Sequence, residues 1–201
     1  MSEMKLDLDR DLNEARDMAD GLADYVRGDQ LYGSIGGGLF GSGNKPALTI
    51  GALLLRLRRL RAMHDRLSVS QQATLASTEA AHDKARTEWK RHYDEKLLRE
   101  ANSRLDAMRA YFEECSNNPR ACAANYLPEA MRRTLVQEIL VAMEQYGIAS
   151  QSLMEKLRGA DSRLRRYAQT TDFIWAAELA SVYPKDPFWW LYARPPQPAG
   201  K

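Results

Sequence analysis

The residues that decide the fold read ALLLRLRRLRAMHDRLSVSQQATLASTEAAHDKARTEWKRHYDEKLLREANSRLDAMRAYFEECSNN from Ala52 to Asn118. This stretch contains neither glycine nor proline, although the chain has 12 glycines and 8 prolines. Two sets of mostly apolar residues within it repeat at alternating steps of three and four, the spacing of one face of an α-helix. They are Leu53, Leu57, Leu60, His64 and Leu67, followed by Leu98, Ala101, Leu105, Met108, Phe112 and Cys115.

The pattern leaves open whether residues 46–115 form one helix or two. If Ser68 or Ser70 caps a new start, the helix that follows up to Glu114 still has about 45 residues and a length of roughly 65–70 Å. Helices in globular domains are seldom that long. We therefore predict an all-α fold, an elongated antiparallel helical bundle or hairpin built on one very long helix.

The length and composition of the chain favour a single helical bundle domain over residues 1–182, followed by an aromatic and proline-rich tail over residues 183–201. Asp7 or Asp9 is expected to cap the first helix and Gly28 to end it, and Pro46 is placed in the first turn of the second helix. Gly147 is expected inside a helix. The predicted helices cover residues 7–27, 46–67, 70–115, 128–158, 161–170 and 172–182, with a glycine-rich loop over residues 33–45.

The composition favours a soluble cytoplasmic protein with no membrane segment. The chain is 44% hydrophobic and 28% charged, with a net charge of +2. No apolar run approaches the ~20 residues of a membrane span, and the acidic N-terminus lacks the apolar core of a signal peptide. Cys115 and Cys122 are too few for a disulfide framework, so we expect free thiols in a reducing compartment.

The small net charge hides two strongly charged segments. Residues 1–24 carry eight acids and three bases, a balance of −5, whereas residues 52–66 carry five arginines and one aspartate, a balance of +4. The favoured interpretation is that two neighbouring helices compensate each other's charge. The alternative is a surface that binds anions or nucleic acid, to which a second cluster near residue 165 would add. The candidates are Arg56, Arg58, Arg59, Arg61, Arg163, Arg165 and Arg166.

The glycine-rich loop contains a weak phosphate-binding motif. Gly36, Gly38 and Gly41 match the dinucleotide fingerprint, but the preceding element is predicted to be helical and the fingerprint requires a strand there. We therefore interpret the loop as a connection between helices. An anion held by its amides at the start of the next helix is the alternative.

The C-terminal tail concentrates aromatic residues, since seven of the chain's seventeen fall within residues 173–192. The favoured interpretation is that these rings cover the apolar end of the bundle. The alternative is a surface that docks a partner protein, a second protomer or unstacked bases. The residues proposed for docking are Phe188, Trp189, Trp190, Tyr192 and Arg194.

The sequence offers little evidence for enzyme chemistry. Glu79-Ala-Ala-His82 has the spacing used in di-iron bundles, but no histidine follows His92 to complete a second such motif. Serine-nucleophile motifs and zinc-ligand spacings are absent. We predict no catalytic residue, no metal and no cofactor.

Three functions stay open at this stage. The first is a non-enzymatic scaffold or adaptor that acts through protein–protein contacts and forms a homo-oligomer, most simply a homodimer, with an unidentified protein partner. The alternative is a nucleic-acid-associated helical protein that binds phosphates through its arginine clusters. The third is a small-molecule sensor or enzyme with a site between helices.

Overall fold

A computed structural model describes residues 4–35 and 46–196 and shows an all-α protein. These residues form eight α-helices: α1 Leu8–Asp20, α2 Leu22–Arg27, α3 Ile50–Ala62, α4 Val69–Glu88, α5 Lys90–Asn117, α6 Pro119–Ala124, α7 Tyr126–Tyr146 and α8 Gln151–Tyr167. Two short strands, β1 Gln169–Thr170 and β2 Ala193–Arg194, pair antiparallel. None of the described helices is long and apolar enough to cross a membrane.

The sequence suggested one domain, and the chain groups into two compact units. We call Asp7–Glu100 the N-terminal unit, and Ala101–Lys201 with Met1–Leu6 the C-terminal unit. The glycine fingerprint of Gly36, Gly38 and Gly41 lies outside the described residues.

Three helices of the N-terminal unit, α1, α3 and α4, begin at side-chain caps, two of which the sequence predicts. The Asp7 carboxylate accepts a hydrogen bond from the Arg10 amide at 3.0 Å, and Gly28 ends α2. Ser68 caps α4 through a reciprocal capping box with Gln71. The prediction for Pro46 is wrong, because α3 begins at Ile50 and is capped by Thr49, whose hydroxyl accepts from the Ala52 amide at 3.1 Å.

The long helix predicted after Ser68 is divided at Trp89 into α4 and α5, of 20 and 28 residues. His82 Nε2 lies 2.9 Å from the hydroxyl of Tyr93, eleven residues later. Eleven residues span about 16 Å along a straight helix, so the chain bends at Trp89. His82 and Tyr93 are both buried at this bend, and burial lowers the pKa of His82.

The apolar faces predicted from the sequence form the cores of the two units. In the N-terminal unit Leu53, Leu57, Leu60 and Leu67 of the first predicted face are buried. In the C-terminal unit the predicted face of α5 from Ala101 to Cys115 is buried against its own unit. The faces predicted from period and composition are therefore confirmed, although Leu98 and His64 keep some exposure.

The C-terminal unit departs from the predicted helix boundaries. Gly147 does not lie inside a helix: its φ of 68° is left-handed, and it ends α7. Ser150 then caps α8, which runs without interruption to Tyr167 and so replaces the predicted break near residue 160. The predicted helix over residues 172–182 is also wrong, since only a 3₁₀ turn at Ala177–Leu179 forms there.

Cys115 and Cys122 form a disulfide that joins the end of α5 to α6, with their Cα atoms 4.9 Å apart. The prediction of free thiols is therefore wrong. Residues 116–127, Cys122 among them, are predicted to form a loop, but α6 begins at Pro119 and brings Cys122 back to the last turn of α5. The Tyr111 hydroxyl donates to the carbonyl oxygen of Cys122 and fixes this turn at a second point.

The aromatic tail folds onto its own unit. Phe188 and Trp190 are at most 1% exposed, and Trp175 and Tyr183 are buried beside them in a chain of edge-to-face ring contacts. The indole of Trp190 donates to the Thr134 hydroxyl at 2.9 Å. The tail thus covers α7 rather than projecting from the unit, as its favoured interpretation states.

Candidate nucleic-acid interface

The first arginine cluster belongs to the interior of the N-terminal unit. Arg56 is 1% exposed and donates to Glu14 Oε2 from Nε at 2.8 Å and from Nη2 at 2.5 Å. A third bond at 2.8 Å reaches the carbonyl oxygen of Ala52 one turn earlier in α3. Because these bonds use donors on Nε, Nη1 and Nη2, they leave Arg56 poorly placed to bind a phosphate from solvent.

Arg59 is fully buried and lies 3.4 Å from Asp11 Oδ2. Burial raises the pKa of Asp11, and the nearby positive charge of Arg59 opposes that rise. Arg61 is exposed but pairs with Glu79, and Arg58 is half-buried. Arg56 and Arg59 therefore compensate the acidic charge of α1, as the favoured interpretation states, whereas Arg61 pairs with α4.

The second arginine cluster lies on the surface of the C-terminal unit. Arg163, Arg165 and Arg166 are all exposed on α8, and so is Arg158, which the sequence analysis did not select. The opposite side of α8 is buried through Leu153, Leu157, Ala160 and Leu164. At 3.6 residues per turn Arg158, Arg165 and Arg166 lie on the side of the helix away from these residues, and Arg163 and Lys156 lie at the edge next to α5. We call this set, Lys156, Arg158, Arg163, Arg165 and Arg166, the basic face of α8.

The arginines of the basic face differ in what they contact. The Arg165 guanidinium stacks over the ring of Trp189 at 3.8 Å, a cation–π contact that fixes its position. Within the described part of the chain, Arg158, Arg163 and Arg166 pair with no acidic side chain. Exposed guanidinium groups without an acidic partner are available to an external anion.

An open groove lies beside the basic face, between α5 and α8. Its volume is about 310 Å³, and its walls include Leu105 and Ala160 at the base. Gly159 leaves room on the α8 side, because a Cβ built there would meet only Arg163 Nη1 at 3.9 Å. The charged residues that line the groove are Asp106, Arg109, Glu155, Lys156 and Arg163.

A buried ion pair orients α8 against α7. Arg133 donates to both carboxylate oxygens of Asp161, at 2.7 and 3.0 Å, and its guanidinium lies 3.9 Å from the centre of the Trp190 ring. Asp161, the second acid within α8, is thereby neutralised from inside the unit. The positive charge of the outer face is therefore left without compensation from this residue.

The residues proposed for docking are mostly enclosed. Phe188 and Trp190 are buried in the unit, which leaves them no surface for a partner. Trp189 is half-buried beneath Arg165, and the hydroxyl of Tyr192 donates to the carbonyl oxygen of Tyr183 at 3.0 Å. Arg194 is half-buried in β2. Of this set, Trp189 borders the basic face through its contact with Arg165.

Two buried charges that the sequence analysis overlooked stabilise the N-terminal unit. Lys96 is 2% exposed, and its ammonium donates to the carbonyl oxygen of Gln30 at 2.7 Å and lies 4.6 Å from the centre of the Tyr25 ring. Burial lowers the pKa of Lys96. Glu100 accepts a hydrogen bond from the Gly51 amide at 3.0 Å, in the first turn of α3. Lys96 therefore fixes the backbone at Gln30, and Glu100 fixes the backbone at the start of α3.

Comparison with protein-family models, curated proteins and solved structures finds no match to this chain. Among residues 4–35 and 46–196, no three side chains of His, Cys, Asp or Glu are grouped in a way that could hold a metal ion.

Proposed function

We propose that this protein is a non-enzymatic, nucleic-acid-associated helical protein that binds backbone phosphates through the basic face of α8. The observation that carries the proposal is the set of three exposed arginines, Arg158, Arg163 and Arg166, that lack an acidic partner in the described part of the chain. Paired arginines such as Arg56 and Arg59 would have to break buried ion pairs to bind phosphate, which is costly. Exposed arginines without such partners have no such cost.

The dimensions of the basic face fit the repeat of a nucleic-acid backbone. Lys156 and Arg166 are ten residues apart, or about 15 Å along the helix axis. The phosphates of one DNA strand recur every ~3.4 Å along the duplex axis, so α8 lies alongside about four of them. Contacts of this kind position a protein on nucleic acid without reading its sequence. We therefore expect binding with little sequence preference.

Salt dependence of binding provides the test. A face that neutralises about three phosphates should give a slope near −3 in a plot of the logarithm of the association constant against the logarithm of salt concentration. The measurement is fluorescence anisotropy with a labelled DNA duplex between low and physiological salt. Arg158→Gln with Arg166→Gln should reduce the slope by about two, because each phosphate contact contributes about 0.9.

The matched control removes the same charge from an exposed site elsewhere. Arg61→Gln with Arg91→Gln changes two exposed arginines of the N-terminal unit, which pair with Glu79 and Glu95. These variants should leave the slope close to that of the wild type. The proposal would be contradicted by a wild-type protein that does not bind DNA at low salt. An equal reduction of the salt-dependence slope in both double variants would also contradict it.

A scaffold that forms homodimers is the second candidate. Val141 and Met154, at 39% and 40% exposure in the C-terminal unit, are the observation that favours it. Exposed apolar side chains of this size are common in contacts between protomers, although single ones also occur on monomers.

Either function is compatible with the cytoplasmic location that we propose. A stable Cys115–Cys122 disulfide favours an oxidising compartment instead, and alkylation of the protein at the moment of cell lysis would report which state exists in the cell.

A further inference from the structure

The groove between α5 and α8 lies at the edge of the basic face and shares Lys156 and Arg163 with it. It is recessed, with Leu105 and Ala160 at its base, and charged side chains surround its opening. A continuous strand that lies on α8 passes over an exposed surface, whereas a group that enters the groove is enclosed by two helices. The groove therefore suits a group that ends a chain or that is a small molecule by itself.

The charges around the groove favour an anion. Asp106 pairs with Lys156 at 3.1 Å, and Arg109 lies 3.7 Å from Glu113 outside the groove. Glu155 accepts a hydrogen bond from Gln151 at 3.0 Å. Arg163 is the third cation, and within the described ranges it pairs with no acid.

The ion pairs at the groove are exposed and can exchange. The side chains of Lys156 and Asp106 are 43% and 50% exposed, and those of Arg109 and Glu113 are 58% and 67% exposed. Exposed pairs of this kind contribute little stability. Lys156 and Arg109 can therefore turn toward a stronger anion without loss of a buried interaction.

We propose that the groove binds a phosphate monoester, and that this group is the terminal phosphate of a nucleic-acid strand whose following phosphates lie on the basic face. A phosphate monoester carries close to two negative charges at neutral pH, and its three free oxygens accept several hydrogen bonds. Arg163 supplies a forked donor, and Lys156 and Arg109 supply the further charge. An internal phosphate diester has only one charge, and its chain continues on both sides, so it fits the recess less well. This inference rests on the function proposed above.

The test compares two labelled oligonucleotides that differ only in a 5′-phosphate or a 5′-hydroxyl. We expect the wild-type protein to bind the phosphorylated strand about tenfold more tightly, the gain of a charge-assisted contact. Gly159→Leu fills the groove without a change of charge, and Arg163→Gln removes its unpaired cation. Gly159→Leu should bind the two strands equally while keeping the salt-dependent binding to the 5′-hydroxyl strand. Arg163→Gln should also abolish the preference, and because Arg163 belongs to the basic face it should weaken binding to the 5′-hydroxyl strand as well. Helical content and melting temperature, measured by circular dichroism, verify that each variant is folded.

The matched control for charge is Arg158→Gln, on the basic face and outside the groove lining. It should weaken binding to both strands by the same factor and keep the tenfold preference. Equal affinity of the wild type for the two strands would overturn the groove proposal and leave the proposed function intact. Failure to bind either strand would overturn both.

Competition with small phosphates separates the two sources of a monoester. A nucleoside 5′-monophosphate and inorganic phosphate are each titrated against the phosphorylated strand. Displacement only at concentrations far above the affinity of the strand supports recognition of a strand end. Displacement at equal affinity would overturn the strand-end assignment and identify the groove as a site for a free phosphorylated molecule.

Discussion

Glu129, in the first turn of α7, is a buried carboxylate that is only partly compensated. One oxygen pairs with Arg132, and the other, Oε2, has no hydrogen-bond partner among the described residues. Burial raises the pKa of Glu129, and its hydrogen bond with Arg132 opposes the rise. The ionised form therefore costs the folded C-terminal unit free energy that the protonated form does not.

The sign of the resulting pH dependence follows from linkage. The pKa of Glu129 is higher in the folded than in the unfolded chain. Above about pH 4.3 the folded state therefore binds more protons than the unfolded state does. The free energy of unfolding contributed by this group then falls with rising pH. Glu129→Gln removes the ionisation. The difference in the free energy of unfolding between this variant and the wild type should therefore grow from pH 4 to pH 7 and reach about 1 kcal/mol in favour of the variant. Urea unfolding at a series of pH values measures this difference.

Glu113→Gln serves as the comparison for this measurement. Glu113 is 67% exposed and pairs weakly with Arg109, so its replacement should change the free energy of unfolding by less than about 0.5 kcal/mol at every pH. A Glu129→Gln variant that loses stability at pH 7 would show that the ion pair with Arg132 outweighs the burial of the charge.

At the scale of the element, two glycines of the C-terminal unit should respond in opposite ways to the same substitution. Gly147 has a left-handed φ of 68°, which costs an alanine about 1 kcal/mol. Gly159 lies in the interior of α8, where alanine is about 1 kcal/mol more favourable than glycine, and its Cβ would have space. We expect Gly147→Ala to lower and Gly159→Ala to raise the melting temperature in differential scanning calorimetry. Shifts of the same sign would contradict the placement of Gly147 at the end of α7 and of Gly159 within α8.

The disulfide between Cys115 and Cys122 fixes α6 against the last turn of α5. A link that closes a loop of this length stabilises a fold by about 2–3 kcal/mol in the chain-entropy account. Reduction with dithiothreitol should therefore lower the melting temperature of the wild type, and Cys115→Ala with Cys122→Ala should have the same effect. The double variant should be indifferent to dithiothreitol. A wild type that is equally indifferent would show that the link does not contribute to stability.

The sequence predicts the elements that depend on local chemistry. The caps at Asp7 and Ser68 and the buried face of α5 follow from side-chain hydrogen bonding and period alone. The bend at Trp89 has no such signal, because the surrounding stretch lacks glycine and proline and only the contact of His82 with Tyr93 reveals it. Likewise, Gly147 could lie in a helix or end one, and the choice depends on how α7 and α8 pack.

The candidate site was predicted only in part, for a related reason. Opposite charges on α1 and α3 indicate compensation, but which arginines are buried depends on the packing of the two helices. Arg163, Arg165 and Arg166 were selected from their clustering in the sequence. Lys156 and Arg158 stand seven residues before Arg163 and Arg165, two helical turns, and could have been found by that spacing. The groove needs α5 beside α8, which no local pattern provides.

At the scale of the whole molecule, the basic side chains are of two kinds, buried and bonded in one set and exposed in the other. In the N-terminal unit, Arg56, Arg59 and Lys96 are buried and bonded to carboxylates or carbonyl oxygens. In the C-terminal unit the buried guanidinium of Arg133 pairs with Asp161 of α8, a helix whose outer side carries exposed arginines. The net charge of +2 therefore understates the positive potential near α8. A local field of this kind attracts polyanions at low salt.

Size-exclusion chromatography with light scattering, recorded at 260 and 280 nm, tests the whole molecule. Protein purified at low salt should carry nucleic acid, because the field near α8 is weakly screened there, and its ratio of absorbance at 260 to 280 nm should be raised. A wash in 1 M salt, where the Debye length is about 3 Å, should remove that signal. The double variant Arg158→Gln with Arg166→Gln should elute without it even at low salt. A protein-like ratio in every condition, together with the mass of two protomers, would instead favour the scaffold function and direct attention to Val141 and Met154.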